Sequence, residues 1–158
     1  MGEAQTLDWP HLSGEIRGGR HLMPVRVYYE DTDFTGVVYH ASYLRFMERG
    51  RTDYLRLIGA DHRALFEAAQ RQAPGFAFVV RAMTIEFVKA ARMDDVLLIV
   101  TAPAEVRGAS VTLRQQVMRG DEMLVEARVK VAFVCGGRAR PIPQALRLAM
   151  RADRDATG

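Results

Sequence analysis

The sequence predicts an α+β fold in which one long helix is covered by an antiparallel sheet of about five strands. Three observations predict it. Apolar residues recur at helical spacing along one extended stretch beginning near Ser42, period-two patterning dominates the chain after Pro74, and turn residues divide that second region into strands that follow one another as a meander. The chain has 158 residues, 49% of them hydrophobic and 26% charged, enough to close one core without staples. Cys135 is the only cysteine. That excludes an internal disulfide scaffold and a cysteine-based zinc ribbon, and makes a reducing, cytoplasmic compartment the expectation. The formal net charge is only +3, and the arginines are scattered from Arg17 to Arg154 rather than clustered with aromatics. No nucleic-acid partner is expected.

Residues 1–20, with Pro10, Gly14, Gly18 and Gly19, read as a flexible arm, and Glu3 and Asp8 there depart from the basic start of a secretory signal. One domain is expected over 21–150, followed by a tail over 151–158. Residues 25–29 are β-branched and aromatic and read as the first strand, ended by Glu30, Asp31, Thr32 and Asp33. After a loop centred on Gly36, Tyr43, Phe46, Met47, Gly50, Tyr54, Leu57 and Ile58 fall on one face of a helix of about four turns. Arg45, Arg49, Thr52, Asp53 and Arg56 fall on the other. Ser42 is its expected N-cap and Gly59 the left-handed residue beyond its end. Gly50, inside the apolar stripe, weakens the helix by about 1 kcal/mol relative to Ala, a cost that close packing on a sheet would justify.

A shorter helical segment is expected over 61–72, stopped by Pro74 and Gly75. Strands are expected over 76–89, 96–107, 110–119 and 123–135, separated by turns at Asp94-Asp95, Gly108-Ala109 and Gly120-Asp121 and ended by Gly136-Gly137. The first of these has apolar residues on both phases at Phe78, Val79 and Val80, as expected of a strand covered on both sides. In the last, Val125, Ala127, Val129, Val131 and Phe133 share one face, and Cys135 follows on that apolar phase as a small buried side chain. Residues 143–150 read as a short amphipathic helix. The densest apolar run, over 96–100, falls far short of the roughly 20 residues a membrane helix needs, so no integral membrane contact is expected.

The densest polar stretch, residues 29–40, sets carboxylates, a histidine and Gly36 between a strand end and a helix start. A helix N-terminus offers unpaired N–H groups, so the amides of His40 and Ala41 are natural donors to a developing oxyanion. Asp33, a short loop away, can serve as a general base or a nucleophile. An electrophilic donor and a carboxylate together suit acyl transfer, and Gly36 lets the backbone turn tightly beside a substrate. From the residues alone, a turn-building, helix-capping role for Asp-Thr-Asp is equally open. The four histidines share no metal-ligand spacing, so no metal site is expected. A Gly-x-Ser-x-Gly elbow and a Walker loop are both missing.

The run from Val25 through Tyr28-Tyr29-Glu30-Asp31-Thr32-Asp33, the Gly36-Val37-Val38-Tyr39-His40 that follows, and Tyr43, Phe46, Met47, Glu48, Arg49 and Arg51 resemble hotdog-fold acyl-CoA thioesterases of the 4-hydroxybenzoyl-CoA thioesterase type. The branch most resembled is the one encoded beside the Tol–Pal envelope system of Gram-negative bacteria. The resemblance continues through residues 78–87 and 91–95 and spans roughly 24–135. It implies hydrolysis of an acyl-CoA thioester to a carboxylic acid and CoA, without metal or cofactor. It also implies a homodimer or homotetramer, with the acyl-pantetheine channel at a subunit interface.

Carried over by position, the resemblance implies Asp33 as the catalytic carboxylate, either activating water or attacking the carbonyl. It implies the His40 amide as the group polarising that carbonyl, with the His40 side chain also involved, and Tyr29 lining the site. Gly36, Val37, Tyr39, Glu48 and Arg81 complete the candidate substrate-binding set. Glu48 is the runner-up catalytic acid, because some hotdog enzymes use a helical carboxylate; pairing with Arg49 or Arg51 is the alternative. Arg81, Arg92, Arg138 and Arg140 are candidates for the CoA phosphates, against a solvated-surface role for each. Phe34 and Thr35 depart from the small residues common before the glycine. Two rival functions stay open: a hydratase or dehydratase on acyl thioesters, for which His40 with Glu48 is the available pair, and a non-catalytic acyl-CoA-binding module.

Overall fold

Alternating strands form a stable sheet only where something covers their apolar face, and here the cover is the long helix. The computed structural model describes residues 14–61, 67–68, 70–71 and 74–158. Among the described residues seven strands form one antiparallel sheet in the order β1-β2-β4-β5-β6-β3, with β7 pairing β6. They are β1 (Glu15–Arg17), β2 (Arg20–Arg26), β3 (Ala77–Phe87), β4 (Val96–Val106), β5 (Ser110–Arg119), β6 (Glu122–Cys135) and β7 (Arg138–Ala139). Two helices have defined limits among the described residues, α1 (His40–Asp61), between β2 and β3, and α2 (Gln144–Ala156) at the end. Phe46, Met47, Tyr54 and Ile58 of α1 are buried against Leu97 and Ile99 of β4, Leu113 and Val117 of β5, and Val125 and Val129 of β6. Gly50 makes this contact possible. A Cβ there would lie 3.0 Å from both Ile99 Cγ2 and Thr101 Oγ1, two fully buried neighbours that cannot yield, so the helix sits directly on β4.

Several expectations are corrected. The sheet has seven strands rather than about five, because β1 and β7 have only 3 and 2 residues and are too short to show a period. Gly18 and Gly19, read as part of a flexible arm, have φ of 58° and 77° and make the two-residue turn that joins β1 to β2. Residues 1–13 of that arm lie outside the described residues. The first strand lies earlier than 25–29, because Tyr29–Asp31 form a 3-10 turn in which the Tyr28 N–H donates to Asp31 Oδ2 at 2.8 Å. Ser42 is not the N-cap: α1 starts at His40, and the Ser42 hydroxyl donates to the Asp31 carbonyl at 3.0 Å. Gly59 does not end α1, which runs 22 residues to Asp61. Of the helical segment expected over 61–72, only 61, 67, 68, 70 and 71 are described, all helical.

The C-terminal residues 151–156, read as a tail, are the last turns of α2. Leu146 and Met150 bury that helix's apolar face, and the buried Tyr54 hydroxyl donates to Asp153 Oδ2 at 2.7 Å. Cys135 is only part-buried, its thiol donating to the Pro74 carbonyl at 3.4 Å. β3 is not covered on both sides. Among the described residues it pairs only with β6, so it forms an edge of the sheet, and Val79, Val80, Phe87 and the adjoining Val88 are 43–52% exposed.

Polar residues on α1 also turn inward. Gln115, fully buried, donates to the Met47 carbonyl at 2.9 Å and to Thr101 Oγ1 at 2.8 Å, and accepts from Arg51 Nη1 at 2.9 Å. Asp53, expected on the solvent face, is 8% exposed. It takes hydrogen bonds from the Gly14 N–H at 2.8 Å and from Arg56 Nη2 at 2.6 Å, and pairs with His21 Nε2 at 2.6 Å. Burial alone would raise the Asp53 pKa; the hydrogen bonds from Arg56, His21 and Gly14 overcome it and hold the carboxyl below its ordinary value.

Candidate active site

The loop between β2 and α1 gives its two aspartates opposite tasks. Asp31 is buried and structural: its carboxylate holds the 3-10 turn, and its carbonyl accepts from the Tyr39 N–H at 2.9 Å and from the Ser42 hydroxyl. The turn is thereby tied to the start of α1. Asp33 is exposed. Its Oδ1 accepts from the Thr35 N–H at 2.8 Å and from the Thr35 hydroxyl at 2.5 Å, an Asx-turn arrangement that fixes the side chain over its own loop. The Thr35 hydroxyl, and after it the Thr35 N–H, hold the Asp33 carboxyl below the usual carboxylate range against desolvation, and the neighbouring His40 adds to the effect. The group at this position is therefore a carboxylate at neutral pH.

Gly36, with φ of 81°, closes the turn in the left-handed conformation that glycine tolerates best. Its N–H donates to the Asp33 carbonyl, and the Asp33 N–H donates to the Val37 carbonyl, both at 3.0 Å. Val37 bridges to Arg92, and the Val38 N–H donates to the Ala91 carbonyl at 2.9 Å, which pins the loop to the turn before β4. α1 then begins at His40. Among the described residues no acceptor engages the N–H of His40 or Ala41, whereas the Ser42 N–H is taken by the Tyr39 carbonyl at 2.8 Å. Two donors at the positive end of a 22-residue helix thus stand free beside the Asp33 loop.

The His40 ring lies between two aromatics, 4.5 Å from the Tyr39 centroid and 6.2 Å from that of Phe87. His40, Val38, Tyr43, Phe87 and Val88 line a shallow groove of about 250 Å³ that opens toward the β3 edge. Tyr43 is fixed at its base, its hydroxyl accepting the Ala91 N–H at 2.8 Å, and burial pushes its pKa up.

The candidate residues do not all meet. Asp33, Gly36, Val37, Tyr39 and His40 share the loop and helix start. Tyr29 stands in the 3-10 turn before it with its ring 81% exposed. Glu48 lies two turns farther along α1 and is bound by Arg51, the pairing that the sequence offered as its alternative. Arg81 lies at the bulge of β3, exposed, and nothing joins it to the loop. Reading the sequence missed Thr35 as the partner of Asp33 and noted it only as a departure from the family. The Asp-x-Thr spacing was the available signal. Phe87 and Val88 as groove walls had no local signal, since only the fold brings them to His40.

A family model described as the thioesterase superfamily matches residues 35–126. The chain belongs to the thioesterase superfamily. Its fold, α1 against the antiparallel sheet, is the hotdog architecture. The acyl-CoA thioesterase YbgC of Haemophilus influenzae is 48% identical over 119 residues, 75% of this chain and 84% of that protein. The acyl-CoA thioester hydrolase YbgC of Escherichia coli is 44% identical over 123 residues, 78% of this chain and 87% of that protein. Among solved structures, a probable thioesterase from Bartonella henselae superposes with a TM-score of 0.67 at 39% identity, over 78% of this chain and 98% of its own. Among the described residues no helix is long and apolar enough to cross a membrane.

Proposed function

We propose that the protein hydrolyses acyl-CoA thioesters to a carboxylic acid and CoA, with Asp33 as general base or nucleophile and the free amides at the start of α1 as the oxyanion site. The observation that supports this most directly is the placement of an ionised, exposed carboxylate one tight turn from unsatisfied helix N-terminal donors. A carboxylate alone adds a proton acceptor; a donor aimed at the developing oxyanion adds about 3–4 kcal/mol of transition-state stabilisation. Thiolate leaves readily, so His40 acts by orienting the carbonyl and Asp33 rather than as a strong acid. The names borne by the Haemophilus and Escherichia relatives supply the substrate class, the single cysteine favours a reducing, cytoplasmic compartment, and the resemblance supplies the Tol–Pal association. Release of CoA from a panel of short, long-chain and aromatic acyl-CoA thioesters, followed with a thiol reagent, tests the reading. Nothing in the site favours a hydratase, because Glu48 is occupied by Arg51.

Thr35 gives a pH prediction. Thr35→Val removes the hydroxyl donor and keeps the N–H, so the Asp33 carboxylate loses stabilisation and its pKa rises. The acidic limb of the kcat/KM profile should move to higher pH, with the plateau near neutrality retained. An unmoved acidic limb would separate Asp33 from the titrating group.

The site also calls for a second copy. A long apolar edge strand is covered in stable proteins, and β3 carries Val79, Val80 and Phe87 exposed, with Phe87 lining the His40 groove. In this reading two chains pair along β3, and the partner walls the groove. The Val79→Lys, Val80→Lys double variant should elute and scatter light as a monomer, with kcat/KM lowered at least tenfold. A wild-type protein already monomeric and fully active would contradict it.

A further inference from the structure

On the face of the sheet turned away from α1, the strand register lines up arginines. Arg114 of β5 stands directly opposite Arg128 of β6 and, on its other side, opposite Ala102 of β4. Arg20 is one residue beyond the His21–Thr101 pair of β2 and β4. The row therefore runs Arg20, Ala102, Arg114, Arg128 across four neighbouring strands spaced about 4.8 Å apart. The small Ala102 leaves a gap between Arg20 and Arg114, which widens into a cavity of about 360 Å³ whose rim includes Arg154 and Thr157 from the end of the chain.

Like charges directly opposite on adjacent strands destabilise a sheet, and ion pairs compensate only part of this row. Arg114 is paired with Glu126 at 2.7 Å and Arg154 with Asp155 at 2.9 Å. Glu105, whose charge Arg128 feels, is itself held by Arg107 at 2.9 Å. Among the described residues neither Arg20 nor Arg128 forms an ion pair. Two guanidinium groups without an ion pair thus flank a concavity lined by the apolar Val100, Ala102 and Ala104.

We propose that this cavity binds a small organic phosphate at a site separate from the thioester site. Guanidinium groups match phosphate oxygens with paired, charge-assisted hydrogen bonds, and the apolar floor takes the organic body. The separation is set by the fold. Arg20 lies six residues, about 20 Å of strand, from the end of β2 that leads to Asp33, and α1 starts on the opposite face of the sheet.

The test is calorimetric titration with pyrophosphate and with ADP at constant ionic strength, on the wild type and on Arg20→Ala, Arg128→Ala and, as control, Arg26→Ala at the other end of β2, whose guanidinium donates to the Asp94 carbonyl. Saturable binding of both ligands is expected, tighter for ADP, weakened at least tenfold in Arg20→Ala and Arg128→Ala and within twofold in the control. Absence of saturable binding, or equal affinity in all four proteins, would overturn the site. Association with phosphatidate-containing vesicles, without uptake of either soluble ligand, would overturn the soluble class in favour of a lipid headgroup. In the CoA-release assay the two cavity variants should keep kcat and KM within twofold. A tenfold rise in KM at unchanged kcat would make the cavity a seat for CoA phosphates and overturn its separateness. The titration stands or falls independently of the thioesterase reading.

Discussion

Asp33→Asn will leave the protein folded and lower kcat for acyl-CoA hydrolysis by about 10³-fold or more, with KM changed by less than about threefold. A positioned general base contributes about 10²–10⁴-fold, and loss of a nucleophile costs at least as much, so the size of the effect holds for either role of the carboxylate. The fold is expected to survive because the amide oxygen of Asn still accepts from the Thr35 N–H and hydroxyl, which are the bonds that hold the loop. The backbone bonds from Gly36 and to Val37 are untouched. Steady-state kinetics beside a thermal melt check both halves. Near-normal turnover by a folded Asn variant would remove Asp33 from the mechanism and return it to the turn-building role that the sequence also allowed.

Asp53→Ala will have the largest effect on stability, a loss of about 3 kcal/mol or more, because removing this shared acceptor leaves buried donors unsatisfied at about 1–3 kcal/mol each. It strips His21, which is fully buried, of its partner, and leaves the Gly14 N–H unsatisfied, while the exposed Arg56 turns to solvent. His21 Nδ1 already has no partner, so the imidazole would be left with no hydrogen bond to the protein. For a domain of this size each 1 kcal/mol moves Tm by about 2–4 °C, so the melt should fall by at least about 6 °C. The pH dependence has a definite sign. The Asp53 pKa is lower in the folded state than in the unfolded one, so its carboxylate contributes stability above the unfolded value of about 3.9, and this is lost as pH falls through the folded value. The gap in Tm between wild type and Asp53→Ala should narrow in acid below about pH 4. A gap that is small at neutral pH would show that solvent replaces Asp53 at little cost.

Much of the fold was legible because the signals were local. The apolar stripe of α1, including the glycine that lets it rest on Ile99 and Thr101, follows from helical spacing, and the limits of β4, β5 and β6 follow from turn residues between alternating runs. What escaped was decided at a distance. Asp53 lies on the polar side of the helical pattern, yet β2 and the residue before β1 close over it. The phases of Phe78, Val79 and Val80 read as burial on both sides, when β3 is an edge that among the described residues only β6 pairs, with Val79 and Val80 exposed. At the site, Asp33, Gly36 and His40 were legible because a loop before a helix is a local feature. The division of labour between Asp31 and Asp33 was not, since it depends on which carboxylate the 3-10 turn draws inward.

The central claim is that this loop cleaves a thioester, and the most direct test is release of CoA thiol by the purified wild-type protein across the acyl-CoA panel. The account predicts stoichiometric thiol and free carboxylic acid from at least one acyl class, dependent on Asp33. Tight acyl-CoA binding with no thiol released, or conversion of an enoyl thioester with its CoA still attached, would contradict it.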